Sequence, residues 1–166
     1  VLILVPRHPE RFADVETLIQ KSGLAYVKRT EQTALSGSTQ VLLGDTMGEM
    51  MLLYGLSKVA FVGGSLVKHG GHNPLEPIAF QLPVISGVYT YNFPEIFAKL
   101  AEVKGFIEVN SDTQSLVQAV EFLLENRDAR KTIATAGFSV LQENQGALER
   151  HLALLAPYLE KDNERN

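Results

Sequence analysis

Lys58–Ser86 reads KVAFVGGSLVKHGGHNPLEPIAFQLPVIS, and the order of its parts decides the fold. A short apolar run, Lys58–Val62, meets a glycine-rich stretch, Gly63–His72. A proline-led segment, Pro74–Gln81, follows, and then a second apolar run, Pro83–Ser86. Short apolar runs bounded by glycine and proline predict buried strands, and proline at a first helical position predicts the helix between them. Strand, helix, strand is the unit of a parallel sheet covered on both faces.

The alternation continues outward from this stretch. Upstream, Val1–Val5 predicts a strand and Pro6–Pro9 a loop. Glu10–Lys21 predicts a helix, with Phe12, Val15, Leu18 and Ile19 at helical spacing and Ser22-Gly23 as its stop. Leu24–Lys28 and Gln40–Leu43 predict two more strands around the polar loop Arg29–Thr39, and Met50–Leu56 a helix. Downstream, the loop Gly87–Phe93 leads to a helix over Pro94–Val103 and a last strand over Phe106–Val109. From about Asp112 the pattern is helical, with Asn126 and Gly137 as interruptions. The prediction is one α/β domain over residues 1–160: a Rossmann-like doubly wound parallel sheet of about six strands, with extra C-terminal helices and a frayed tail over 161–166.

Composition narrows the function classes. The 166 residues are 45% hydrophobic and 20% charged, the profile of one globular domain with a single sizeable core. A net charge of −4 argues against nucleic acid as a partner, since phosphate contacts need clustered Lys and Arg. No apolar run approaches the roughly 18–20 residues needed to span a bilayer. Val1–Val5 is too short for a signal peptide, and with no initiator Met the chain reads as a piece cut at a domain boundary. The absence of cysteine removes disulfides, thiolate metal sites and thiol catalysis, and fits a cytoplasmic protein.

In open α/β sheets, ligands bind outside the carboxyl ends of the strands. Arg7-His8, Asp45–Glu49, Gly63–Asn73 and Gly87–Asn92 all follow predicted strands and should crowd one edge. Four glycines, Gly63, Gly64, Gly70 and Gly71, let backbone approach a ligand closely. Asn73 is a good N-cap, and the unpaired N–H groups of the helix start would suit an anionic phosphate. Glu76, one turn in, can accept both hydrogens of a ribose diol. The plainer reading of Asn73-x-x-Glu76 is a capping box, and that of Gly70-Gly71 a tight turn; capping and ribose binding are compatible. Arg7, in Pro6-Arg7-His8-Pro9, can grip phosphate oxygens, or can simply pair with Glu10 or Asp14. The slot Gly44–Glu49 can read a base edge, with Met47 packing on the base, while Asp45 is equally suited to capping the next helix. His8, His69 and His72 could be imagined around zinc, but the glycines between the last two leave that geometry loose, so no metal is expected. The dinucleotide fingerprint, the P-loop and the nucleophile elbow are all absent.

These residues resemble the Kdo (3-deoxy-D-manno-octulosonic acid) transferase family of lipopolysaccharide assembly. The likeness rests on Pro6–Phe12, Leu43–Glu49, Phe61–Pro77, Val84–Gly87 and Tyr91–Phe93, and covers the chain to about Leu100. It implies one half of a GT-B fold, with CMP-Kdo as donor, a lipid A precursor as acceptor, and no cofactor. Carried over, Arg7 and the helix start at Asn73 would hold the CMP phosphate, with Arg7 stabilising the leaving group. Glu76 would bind the ribose, and Asp45, Thr46 and Met47 would border the cytosine. Gly63, Gly64 and Ser65 would line the donor cleft, and Pro6, His8, Gly70, Gly71 and His72 complete the expected donor-binding set. The family's acceptor-binding half, its general base and most of its contact with the cytoplasmic face of the inner membrane lie N-terminal to the matching region, so the chain alone is expected to bind donor without transferring it. In a GT-B protein the last helix tends to cross to the other domain, which would leave Leu152, Leu155 and Tyr158 exposed here and favour dimers. Two rival readings are an epimerase-type half acting on a UDP-sugar and a non-catalytic nucleotide-binding module.

Overall fold

The structure is a computed structural model that describes residues 1–144. Among these, two compact units are distinguished, Val1–Ser57 and a second that begins at Lys58. Six strands, all in parallel ladders, occur among the described residues.

The first unit holds β1 (Leu2–Leu4), α1 (Phe12–Ser22), β2 (Tyr26–Lys28), β3 (Val41–Leu43) and α2 (Met50–Gly55), with 3-10 turns at Pro9–Arg11 and Arg29–Glu31. Its sheet order is β1-β3-β2, and Leu4 and Lys28 both stand in register with Leu43. The chain therefore leaves all three strands at the same level, and the segments beginning at Val5, Arg29 and Gly44 share one sheet edge. Ile19, Val41 and Leu43 form the buried core, with Leu4, Val15 and Tyr26 packed against it. Gly23 ends α1 at φ 72, as expected of a glycine after a helix. Leu18, placed on the apolar face by its spacing, is 60% exposed.

The second unit holds β4 (Ala60–Val62), α3 (Leu75–Ala79), β5 (Val84–Gly87), α4 (Pro94–Glu102), β6 (Phe106–Val109), α5 (Thr113–Glu125) and α6 (Arg127–Asn144), with sheet order β4-β5-β6. Side chains alternate across a strand, and β5 uses both faces. Val84 packs with Val62, Ile78, Phe97, Leu100 and Val140, whereas Ile85 packs with Val109, Ala119 and Leu123. Thus α3, α4 and α6 cover one face and α5 the other, which is the doubly wound arrangement. Asp112 caps α5 by accepting the Ser115 N–H at 2.7 Å. Asn126 separates α5 from α6 and accepts the Ala129 N–H at 2.9 Å. Val62, Ser86 and Glu108 are in register, so the loops after β4 and β5 also leave from a common edge.

Three expectations are corrected. The predicted strands are present, but as two sheets of three rather than one of about six. An apolar run reveals that a strand is buried, not which neighbour it pairs with, and each sheet has its own buried central strand, β3 and β5. Gly137 does not interrupt α6; it is a contact glycine, since a Cβ there would stand 2.8 Å from the Gly105 carbonyl oxygen. The helix expected from Pro74 starts at Leu75, with Pro74 as its cap residue. Leu152, Leu155, Tyr158 and the tail over 161–166 lie outside the described residues.

Candidate functional site

In the second unit, β4 delivers the chain into the glycine loop at the sheet's carboxyl edge. The loop folds back on itself, with the Gly71 N–H bonded to the Gly64 carbonyl and the His72 N–H to the Gly63 carbonyl, both at 3.1 Å. The His72 ring lies over this turn: a Cβ on Gly64 would come within 3.5 Å of Nε2. Ser65 is fully buried. Its hydroxyl donates to the Val62 carbonyl at 2.7 Å and accepts the Gly87 N–H at 2.8 Å, so it is committed to bracing the loop against β5.

Asn73 and Glu76 stand together at the start of α3. Asn73 Oδ1 accepts the Leu75 N–H at 3.0 Å, and its Nδ2 lies 3.4 Å from Glu76 Oε1. Neither bond of the reciprocal capping box is made: Asn73 takes the N–H two residues on, and Glu76 meets the Asn73 carboxamide instead of its N–H. Ile78 donates to the Pro74 carbonyl and Pro77 has no N–H, so α3 presents few backbone donors: that of Glu76 has no backbone partner among the described residues. A five-residue helix of this kind is a weaker phosphate site than the expected one, and the Asn73 carboxamide is its main side-chain donor.

In the first unit, Pro6 is half-buried while Arg7 and His8 are exposed. His8 Nδ1 is 3.9 Å from Glu10 Oε1, and Arg11 Nε is 3.7 Å from Asp14 Oδ2. Asp45 does not cap α2. Its carboxylate takes the Thr30 N–H at 2.9 Å and the Thr30 hydroxyl at 2.5 Å. Burial acts to raise the Asp45 pKa, but the two Thr30 bonds, with its own backbone N–H and the Lys28 charge, together hold the carboxyl below its ordinary value. Thr46 donates its hydroxyl to Glu49. Glu49 also takes Arg29 Nη2 at 2.7 Å; the Thr46 bond first, and Arg29 after it, lower the Glu49 pKa against a partial burial cost. Met47 is 64% exposed and projects from this tied loop.

The structure thus groups Gly63–Glu76 on one edge of the second unit and Asp45–Met47 with Arg7 and His8 on residues following strands of the first. Sequence reasoning missed two partners that hold these groups, Arg29 and Thr30; Tyr91 and Asn92 lie in the strand-end segment Gly87–Asn92 that it singled out, but their bonds to the glycine loop were not foreseen. Arg29 and Thr30 follow β2, and the rule of strand ends was the one signal that could have found them.

Residues 21–140 match the model of the family Glycosyl transferases group 1. The chain belongs to that family. It is 56% identical, over 98% of its length, to a 3-deoxy-D-manno-octulosonic acid transferase of Haemophilus influenzae, of which it covers 38%. It is 38% identical over 80% of its length to a bifunctional glycosyltransferase/methyltransferase of Fusobacterium nucleatum, covering 21% of that protein. The chain therefore spans well under half the length of these curated relatives. Among solved structures, the C-terminal CMP-Kdo binding domain of WaaA from Acinetobacter baumannii superposes with a TM-score of 0.82 at 38% identity, over 86% of this chain and 74% of that one. The α/β class expected from the sequence, a Rossmann-like half of a GT-B fold, is the class this structure has, and the kinship expected with Kdo transferases is borne out.

Proposed function

We propose that this chain supplies the donor-nucleotide site of a Kdo transferase and that the nucleotide sugar it takes is CMP-Kdo. The observation carrying this reading is the glycine loop held at the carboxyl edge of β4, ending in Asn73 and Glu76, in a chain this similar to a CMP-Kdo binding domain. Glu76 offers its carboxylate to the ribose diol, which can replace the long bond from Asn73. The Asn73 carboxamide and the Glu76 N–H donate to phosphate, and Gly70 and Gly71 let the loop before them fold tightly, the space their Cβ atoms would need being taken by Asn92 and Tyr89; His72 stands beside Asn73 in the same segment. Asp45, Thr46 and Met47 border the cytosine, with Asp45 and Thr46 fixing the loop and Met47 supplying apolar contact. Pro6, Arg7 and His8 follow β1, where the Arg7 guanidinium balances the charge the leaving phosphate gains.

Transfer of Kdo to a lipid A precursor, at the cytoplasmic face of the inner membrane, is the activity of the whole enzyme in this reading. No helix among the described residues is long and apolar enough to cross a membrane. Transfer also needs a base on the acceptor hydroxyl. Three carboxylates of the assigned segments are engaged otherwise: Asp45 by Thr30, Glu49 by Arg29 and Thr46, and Glu76 by the ribose in this assignment. Assayed alone with CMP-Kdo and acceptor, the chain is expected to give no product, and turnover would remove this division of labour.

The direct test is a titration with CMP and, in parallel, UMP, followed by amide chemical shifts. Shifts confined to Arg7, Asp45–Met47 and Gly71–Glu76, larger for CMP, are expected. A preference for UMP would point to a UDP-sugar enzyme, and an absence of shifts at millimolar CMP would remove the donor assignment.

A further inference from the structure

Three consecutive carbonyls in the glycine loop are held by one residue of the neighbouring loop. Asn92 Nδ2 donates to the His69 carbonyl at 2.9 Å and to the Gly71 carbonyl at 3.1 Å. Its backbone N–H donates to the Gly70 carbonyl at 3.0 Å. Both side-chain partners are acceptors only, so the nitrogen of the carboxamide, not its oxygen, must face them. The carboxamide reaches them by lying directly over Gly70. A Cβ on Gly70 would stand 2.4 Å from Asn92 Oδ1, and φ of 83 there is a conformation that suits glycine. Next to it, the Tyr91 hydroxyl donates to the Lys68 carbonyl at 2.6 Å.

We infer that Asn92 is the positioning residue of the donor loop: its carboxamide clasps the backbone on both sides of Gly70 and fixes the path from His69 to the Asn73–Glu76 pair. This rests on the donor reading above, in which that pair meets the nucleotide. A loop rich in glycine has many backbone conformations to lose on binding, and a clasp that removes them beforehand strengthens binding without touching the ligand. Sequence spacing hides the arrangement, because Asn92 is 21 residues from Gly71.

The test compares Asn92→Ala, Asn92→Asp and Ala119→Gly in this chain. Ala119 is buried on α5, makes none of the bonds that hold the loop, and serves as a control for general loss of stability. Two readouts are used: CMP affinity by titration, and hydrogen exchange of the Gly71 and His72 amides. Asn92→Ala is expected to weaken CMP about tenfold, the worth of one to two hydrogen bonds. The same variant should speed exchange of both amides. Asn92→Asp keeps the volume but loses both donors and sets a negative charge against two carbonyls, so it should bind more weakly still. Ala119→Gly should bind as the parent does.

Parental affinity in both Asn92 variants overturns the inference, as does an equal loss in Ala119→Gly. If the parent chain itself fails to bind CMP, the donor reading falls. The exchange data then judge the clasp alone, with faster Gly71 and His72 exchange in Asn92→Ala upholding it and unchanged exchange removing it.

Discussion

Asp45 sits where burial would push its carboxyl toward neutrality, yet the Thr30 hydroxyl and N–H, with its own N–H and the Lys28 charge, leave its pKa lowered. A carboxyl whose folded pKa lies below its unfolded value stabilises the fold above that unfolded value, about 3.9 for Asp. The contribution disappears as pH falls through the lower, folded pKa. Asp45→Asn is expected to cost about 1 kcal/mol at neutral pH, because one carboxamide oxygen replaces a carboxylate that takes two donors. The variant should also lose less stability than the parent on acidification from about pH 5 to pH 2. Urea midpoints measured across that range check both statements, and parallel curves for the two proteins would take Asp45 out of the acid response. This residue also marks what its sequence could tell. Its place after a strand made it a candidate, but the bond to Thr30, fifteen residues away, belongs to the meeting of two strand ends that no local pattern encodes.

Helix ends and helix contacts explain the misread glycine. α4 closes with the Gly105 N–H on the Leu100 carbonyl at 2.7 Å and the Lys104 N–H on the Ala101 carbonyl at 3.1 Å, the paired bonds of a Schellman motif. The left-handed position of that motif is Lys104, at φ 55, where glycine is the usual occupant. Glycine comes one residue later because Gly105 must meet Gly137 of α6: a Cβ on Gly105 would lie 2.7 Å from the Gly137 Cα. Lys104→Gly is therefore expected to raise stability by about 1 kcal/mol, the strain of a non-glycine residue in that region, as read from the urea midpoint. Gly137→Ala carries two opposed effects. Better helix propensity favours it by about 1 kcal/mol, while forcing a methyl against Gly105 backbone costs about 1–3 kcal/mol. Backbone cannot swing aside as a side chain can, so net destabilisation is expected, and a stabilised Gly137→Ala would show that α6 slides freely. Periodicity found these helices but could not separate a breaking glycine from a packing one, because that difference lies in the element on the other side.

At the scale of the molecule, strand and helix order was legible because burial on both faces leaves continuous apolar runs such as Val84-Ile85, and these survive as β5. Strand pairing was not legible, and the consequence is two sheets with cores of different size. Among the described residues, the second unit buries ten in two clusters that grip both faces of β5, whereas the first buries Ile19, Val41 and Leu43 in a single cluster. Protection against hydrogen exchange follows how much must open to expose an amide, and small cores open at lower free energy. With no cysteine available to staple the smaller core, its strands depend on that packing and their ladder bonds. Amides of β3, such as Leu43, are therefore expected to exchange at least about tenfold faster than Ile85 of β5, a gap of roughly 1.4 kcal/mol in opening free energy. The measurement is native-state exchange in low urea. Two sets of amides converging at different urea concentrations would establish separate opening of the units, and a single isotherm joining Leu43 to Ile85 would mean that both cores melt in one cooperative step.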